Sequence, residues 1–156
     1  MKSTILAVMA VMLSLNAGAA EKKDSVKSNK PVFTVVKENP ITSIKNQNRS
    51  GTCWDFSTLA FFEAEILKNT GKTYDLCESF VANKTYMDRA IQVVRLHGDC
   101  QFAQGGSCYD PLYVIQHYGI CPETAMPKAG SLYGDSLFNF NEFFKVMSPY
   151  VDAVAK

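Results

Sequence analysis

The chain has 156 residues, 47% of them hydrophobic, with 16 basic against 15 acidic side chains and a formal charge of +1. That balance excludes the electrostatic footprint of a nucleic-acid or anionic-membrane binder, and 20% charged with 12% aromatic side chains exclude a chain too polar to build a core. Five cysteines are an odd number, so at least one thiol lacks an intrachain partner.

In chain order, Lys2, the apolar stretch from Ile5 to Leu15 and the small residues Ala17, Gly18, Ala19 and Ala20 precede the charged Glu21-Lys22-Lys23-Asp24. Residues 1–20 therefore read as a secretory signal peptide, cut after Ala19 or Ala20. The apolar run is about eleven residues, short of the roughly 20 that span a bilayer, so the mature chain is expected to be free of the membrane and secreted or periplasmic, in an oxidising compartment. Residues 21–39 form a flexible lead-in: Glu21 to Lys30 is polar and Lys-rich, and the β-branched Val32 to Val36 predicts a short extended segment. Residues 40–156 form one domain portion, beginning with an ordered loop over Pro40 to Asn48.

The strongest helix signal runs from Cys53 to Asn69, where apolar residues cover more than one face and predict deep burial, with Gly71 as the stop. Asp75 and Glu78 have capping-box spacing and open a second helix that runs to about Leu96 and stops at Gly98. Asp110 followed by Pro111 predicts a cap and a first-turn proline for a third helix that ends at Tyr118-Gly119. A fourth amphipathic stretch lies near Phe138 to Met147. Strand signals are few.

Chemistry concentrates in Asn46-Gln47-Asn48-Arg49-Ser50-Gly51-Thr52-Cys53-Trp54-Asp55-Phe56-Ser57. Cys53 follows a Gly-containing loop and begins the long helix, where unpaired N–H groups and the helix dipole favour negative charge on sulfur. Gly51 allows close backbone approach. The amide of Gln47, if the loop curls back, and the backbone N–H of Cys53 can together receive a developing oxyanion. A nucleophile with a donor pair makes up two of the three parts of an acyl-transfer site. Asp55 reads as an N-terminal helix carboxylate, with a second reading in which its charge weakens the neighbouring thiolate.

This segment resembles the nucleophile region of papain-like cysteine peptidases, whose signature is C-G-[SA]-C-[WY]. Here Ser50 stands where the first cysteine of that pattern would be, and after Asn46-Gln47 this is more similar to the bleomycin hydrolase (aminopeptidase C) branch. Three further segments resemble the family in order. Tyr74-Asp75-Leu76-Cys77-Glu78-Ser79 is similar to its Leu-Ser-x-Gln/Ser helix start. Gly105-Gly106 is similar to the glycine pair beside the substrate, and Tyr118-Gly119-Ile120 is similar to its Tyr-Gly-(Ile/Leu) helix ending. The resemblance implies an α+β papain-like fold of which this chain is mainly the α-helical (left) domain with few strands. It implies that Cys53 is the nucleophile that forms a thioester, that Gln47 lines the oxyanion hole, and that Gly105 and Gly106 hydrogen-bond an extended peptide substrate. Trp54 reads as core packing. In this branch the implied activity is aminopeptidase-like hydrolysis, and homo-oligomerisation belongs to a full-length form.

Such a nucleophile needs a histidine, oriented by an asparagine, that comes about 130–150 residues downstream in papain-like enzymes. His97 and His117 fall much closer to Cys53, at predicted helix ends, and read as dipole-complementing or surface residues. The expectation is an N-terminal portion of a peptidase that stops before its catalytic His and Asn. The competing expectation is a non-catalytic secreted module that keeps the peptide groove. Cys77, Cys100, Cys108 and Cys121 allow up to two disulfides in three connectivities, with Cys100–Cys108 favoured because it closes a short loop around the glycine pair. The spacing H-x2-C-x7-C-x12-C matches no common zinc pattern, so neither metal nor cofactor is expected.

Overall fold

Residues 31–127 and 137–156 are described by a computed structural model of the chain. Two units are distinguished, Met1–Val36 and Lys37–Lys156. In the first, residues 31–36 form neither helix nor strand, so the Val32 to Val36 run has no ladder. The signal-peptide and Lys-rich segments over 1–30 lie outside the described residues.

The second unit carries four helices among the described residues: α1 Cys53–Thr70, α2 Glu78–Arg95, α3 Tyr109–Tyr118 and α4 Asn141–Ala155. A short 3-10 turn covers Glu123–Ala125. Among the described residues, strand pairing is limited to two isolated bridges, Arg49 with Asn139 (parallel) and Leu76 with Pro122 (antiparallel). Glycines close three helices as expected. Gly71 (φ 68°) returns its N–H to Leu67 O at 2.8 Å, Gly98 (φ 82°) reaches Val93 O at 2.9 Å, and Gly119 (φ 80°) reaches Ile115 O at 3.1 Å. None of the described helices is long and apolar enough to cross a membrane.

α2 sits centrally and packs against α1, α3 and α4. Its buried Val81, Ala82, Thr85, Tyr86 and Val93 recur at helical spacing. They meet Trp54 and Leu59 of α1, Val114 of α3, Val151 and Ala155 of α4, and Phe102 from the α2–α3 loop. α4 is held by an aromatic cluster in which Phe144 contacts Tyr86 and Phe102 with ring centroids 4.9 and 5.0 Å away.

Three expectations about the elements are corrected. α1 buries one stripe only: Trp54, Asp55, Thr58, Leu59 and Glu63 face inward, whereas Phe61 is 60% exposed. α1 packs on α2 and α3 through this stripe; Phe62 is half-buried against the core and Phe56 meets Phe138 with ring centroids 5.1 Å apart, so burial of the second face is partial. Asp75 does not cap α2; the N-cap is Cys77, and the Asp75 carboxylate is drawn instead to Lys45 Nζ at 2.7 Å. α4 continues past Met147 to Ala155 through Pro149. Phe144, Met147, Val151 and Ala155 continue one stripe against the core, and Pro149 lies on the exposed side.

Candidate active site

Cys53 is the first residue of α1, exposed, and a free thiol. The loop before it is tied in a knot. Gln47 Nε2 donates to Ser50 O at 2.7 Å, Ser50 Oγ donates back to Gln47 O at 2.7 Å, and Ser50 Oγ meets Thr52 Oγ1 at 2.5 Å. Thr52 O then accepts from the N–H groups of Asp55 and Phe56 at 3.0 and 3.1 Å, which starts the helix. The knot curls the chain so that the Gln47 side chain returns to Ser50, three residues before the sulfur. One amide N–H of Gln47 is committed to Ser50 O, which leaves the second for another acceptor. Ser50, standing in the place of a cysteine in the resembling pattern, is 7% exposed and supplies the hydroxyl at the centre of this knot.

The loop is anchored on both sides. Asn48, at φ 47°, donates its Nδ2 to Phe138 O at 3.0 Å, and Arg49 N–H reaches the same oxygen at 3.2 Å. On the other side Gly51 N–H donates to Gln104 Oε1 at 2.8 Å. A Cβ at Gly51 would stand 2.8 Å from Gln104 Cβ, so the close approach requires glycine here.

Gln104 leads into Gly105-Gly106, and four side chains hold that segment. Trp54 Nε1 and the Tyr86 hydroxyl both donate to Gln104 O, at 3.0 and 3.1 Å. Arg89 Nη1 donates to Ala103 O at 2.8 Å and also to Gly105 O. Arg89 Nη2 pairs with Asp110 Oδ1 at 3.0 Å, and its guanidinium lies 5.5 Å from the Trp54 ring centroid. Asp110 Oδ2 accepts from Ser107 N–H at 2.7 Å. Asp110 thus serves the turn leading into α3, although the N-cap position itself is Cys108 rather than Asp110. Cys53 and the glycine pair are therefore brought together through Trp54, the residue next to the sulfur. The expected packing role of Trp54 holds, since it is 5% exposed.

The two glycines differ. A Cβ on Gly106 would stand 2.6 Å from the Trp54 ring and 2.8 Å from Arg89 Nη2, whereas one on Gly105 would meet nothing within 4 Å. Gly106→Ala is expected to cost about 1–3 kcal/mol by overpacking a rigid ring, with a shift in Trp54 fluorescence. Gly105→Ala is expected to stay within about 0.5 kcal/mol. Urea unfolding of the two variants checks the contrast.

Asp55 does not stand beside the sulfur as a surface charge. Its side chain turns into the core, 0% exposed, and neither carboxyl oxygen has a partner. Burial, aided by nearby Glu78 and opposed by Lys45, pushes its carboxyl up to about 9. At neutral pH it is an uncharged acid, so the reading of an ionised helix-start carboxylate and that of a charge weakening the thiolate both fail. The inward stripe of α1 passes through position 55.

Beneath the site lies an ion cluster that sequence reasoning missed. Lys45 Nζ contacts Glu78 Oε1 and Asp75 Oδ1 at 2.7 Å each, Glu63 Oε1 at 2.9 Å and Leu76 O at 3.0 Å. Glu63, 1% exposed, also accepts from Thr42 Oγ1 and Leu76 N–H at 2.7 Å each. Burial alone lowers the Lys45 pKa, but its hydrogen bonds to Asp75, Glu78 and Glu63 outweigh it and hold the ammonium above its ordinary value. The cluster ties the loop that carries Gln47 to α1 and to the head of α2. The available signal was Glu63, an acid amid the apolar positions of α1. Arg89, Tyr86 and Gln104 carried no comparable signal.

Neither histidine is placed at the sulfur. Arg89 stacks on Trp54; Arg95, six residues on, is about 9 Å further along α2, and His97 lies beyond it at φ 52°. His117 is in the last turn of α3 with its ring 4.0 Å from Tyr113. A cavity of about 820 Å³ between α2 and α3, lined by Arg89, Arg95, Asp110, Tyr113 and Tyr118 among others, does not include Cys53. Chemistry, not cavity size, singles out the loop before α1.

The sequence model of the family described as Papain family cysteine protease matches residues 30–132. Cysteine proteinase 2 of Entamoeba histolytica is 32% identical over 100 residues, 61% of this chain and 28% of that protein. Pro-cathepsin H of Mus musculus is 29% identical over 105 residues, 67% of this chain and 28% of that protein. Cysteine proteinase 2 of Dictyostelium discoideum is 25% identical over 118 residues, 76% of this chain and 29% of that protein. The chain thus spans under a third of the length of these curated relatives.

Proposed function

Since this chain belongs to the papain family of cysteine proteases, its mainly helical fold being papain-like, we infer that Cys53 is the nucleophile of a peptidase. In the proposed reaction its sulfur attacks the carbonyl carbon of a peptide substrate and expels the amine, leaving a thioester. The uncommitted N–H of the Gln47 amide and the backbone N–H of Cys53 receive the oxyanion. Gly105 and Gly106 flank the extended peptide. The observation that supports this reading is the free, exposed thiol at the head of α1, directly after the loop in which Gln47 and Ser50 are tied to each other. The reading assigns the thiol proton to neither His97 nor His117.

The finer assignment, aminopeptidase activity of the bleomycin hydrolase type, is supported by Ser50 and by Asn46-Gln47, while the named relatives are cysteine proteinases and cathepsins. Secretion to an oxidising space rests on the composition of residues 1–20. A second reading, a module that binds peptide without cleaving it, is favoured by one observation, the placement of both histidines at helix ends.

A peptide-like epoxide separates these. Cys53 is expected to be alkylated at least tenfold faster than Cys108, the other exposed thiol, and Cys53→Ser is expected to abolish the fast labelling and leave the slow labelling of Cys108. Equal rates at the two cysteines, read by peptide mass mapping, would sink the nucleophile assignment. Saturable binding of the unreactive peptide with no preference for Cys53 would favour the module.

A further inference from the structure

We propose that Cys77 and Cys121 form a disulfide that clasps the head of α2 to the segment following α3. Leu76 and Pro122 make an antiparallel bridge. It is flanked by Cys77 N–H donating to Cys121 O at 3.1 Å and Glu123 N–H donating to Asp75 O at 2.9 Å. In that register Cys77 lies directly opposite Cys121. Opposed residues of an antiparallel ladder point their side chains to one face. One bond joins the pair, since Cys77 O accepts from Val81 N–H in α2; opposed Cα atoms of antiparallel pairs lie about 4.5–5.5 Å apart, inside the range of roughly 4.4–6.8 Å that a disulfide spans. Burial is the chief cause that pushes the Cys77 thiol up to about 12, the Phe80 backbone amide opposes it, and Glu123 and Cys121 add to the rise. Both thiols are free in this structure. The alternative pair is less well set: Cys100 packs against the hydrophobic core, whereas Cys108 is exposed at the head of α3.

Cys77 is buried and Cys121 half-buried, which orders the chemistry. With oxidised glutathione as oxidant, the Cys121 thiolate attacks one glutathione sulfur, forms a mixed disulfide and releases a glutathione thiolate. Cys77 then gives up its proton to that base and displaces the second glutathione from Cys121. Two protein thiols are oxidised to one disulfide, and one glutathione disulfide is reduced to two thiols.

The full chain is refolded in a glutathione redox buffer, digested without reduction and mapped by mass spectrometry. The expected product is a peptide pair joined through Cys77 and Cys121, lighter by two hydrogens than its parts, with Cys53 still alkylatable. The bridge closes a long loop, so the thermal midpoint is expected to rise on the order of 10 °C over the reduced chain. That rise should vanish in Cys77→Ser and in Cys121→Ala alike; the second variant leaves the helix cap intact. Free Cys77 and Cys121 after oxidation, bridges from either to Cys100 or Cys108, or a Cys77–Cys121 bridge with no rise in midpoint would each overturn the clasp.

Discussion

Lys45→Met is expected to destabilise the domain by about 3–5 kcal/mol, because it strips the cation from a nearly closed site and leaves its carboxylates facing one another. Glu63 and Glu78 have side chains only 1% and 3% exposed, and Lys45 stands 2.9 and 2.7 Å from them. Burial already pushes the Glu78 carboxyl upward against the pull of Lys45. Against a typical folding free energy of about 5–15 kcal/mol, that loss is large enough to unfold a sizeable fraction of the molecules. Lys68→Met is the control. Lys68 pairs with Glu65 at 3.3 Å, but the two side chains are 46% and 41% exposed, and its removal is expected to cost under about 0.5 kcal/mol. Urea unfolding of both variants at neutral pH checks the contrast. Equal losses would show that the Lys45 site is open to water. Because Lys45 also holds the loop that leads to Gln47, a folded remnant of the Met variant is expected to label more slowly at Cys53.

Asp55→Ala is expected to act in the opposite sense and to change how stability depends on pH. A fully buried carboxyl with two unpartnered oxygens costs the fold about 1–3 kcal/mol that a methyl group does not. The pH dependence is more telling. In the folded chain the Asp55 pKa is raised to about 9, above its value in the unfolded chain. The folded state therefore keeps a proton that the unfolded chain releases. Stability falls as pH rises from the ordinary carboxyl range toward about 9, and the contribution is level beyond it. In Asp55→Ala that part of the slope disappears, so the variant gains on the parent steadily from pH 5 to pH 8. Glu78 shifts in the same direction, which leaves a residual slope in the variant. Denaturant midpoints at pH 5 and pH 8 test this. A parent–variant difference that does not change with pH would place Asp55 in a wetter setting than its burial implies.

Both predictions concern charges that act on one another, since Glu78 and Lys45 both bear on Asp55. Lys45, Glu63 and Glu78 tie the approach loop, α1 and α2 into one unit, and Asp55 reaches in from the residue next to Trp54. Arg89 and Tyr86 fasten Gln104 and Gly105 to α2. The sulfur therefore rides on a helix whose first turn is held by the aromatic and guanidinium contacts of Trp54 and whose third turn is tied by the Glu63–Lys45 pair. That support keeps a nucleophile and its neighbours in register before any substrate arrives.

What was legible in the residues alone was whatever depends on near neighbours in the chain. Gly71, Gly98 and Gly119 marked helix ends because only a residue tolerant of positive φ turns the chain there. Cys53 stood out because a loop followed by an apolar helix places it at a helix head. The order of Gln47, Cys53 and Gly105-Gly106 pointed to a papain-family chain, as the family match over 30–132 bears out. Tertiary structure decided the rest, because burial and charge pairing depend on residues far apart in sequence. Asp75 spacing suggested a cap, yet a lysine thirty residues earlier offered a stronger partner. The amphipathic stretch near Phe138 to Met147 suggested a shorter helix, yet the stripe of Phe144, Met147, Val151 and Ala155 carries it on against the core to Ala155. Asp55 looked like a surface carboxylate until packing on α2 set which way α1 faces, and only that rotation makes it a neutral, buried acid.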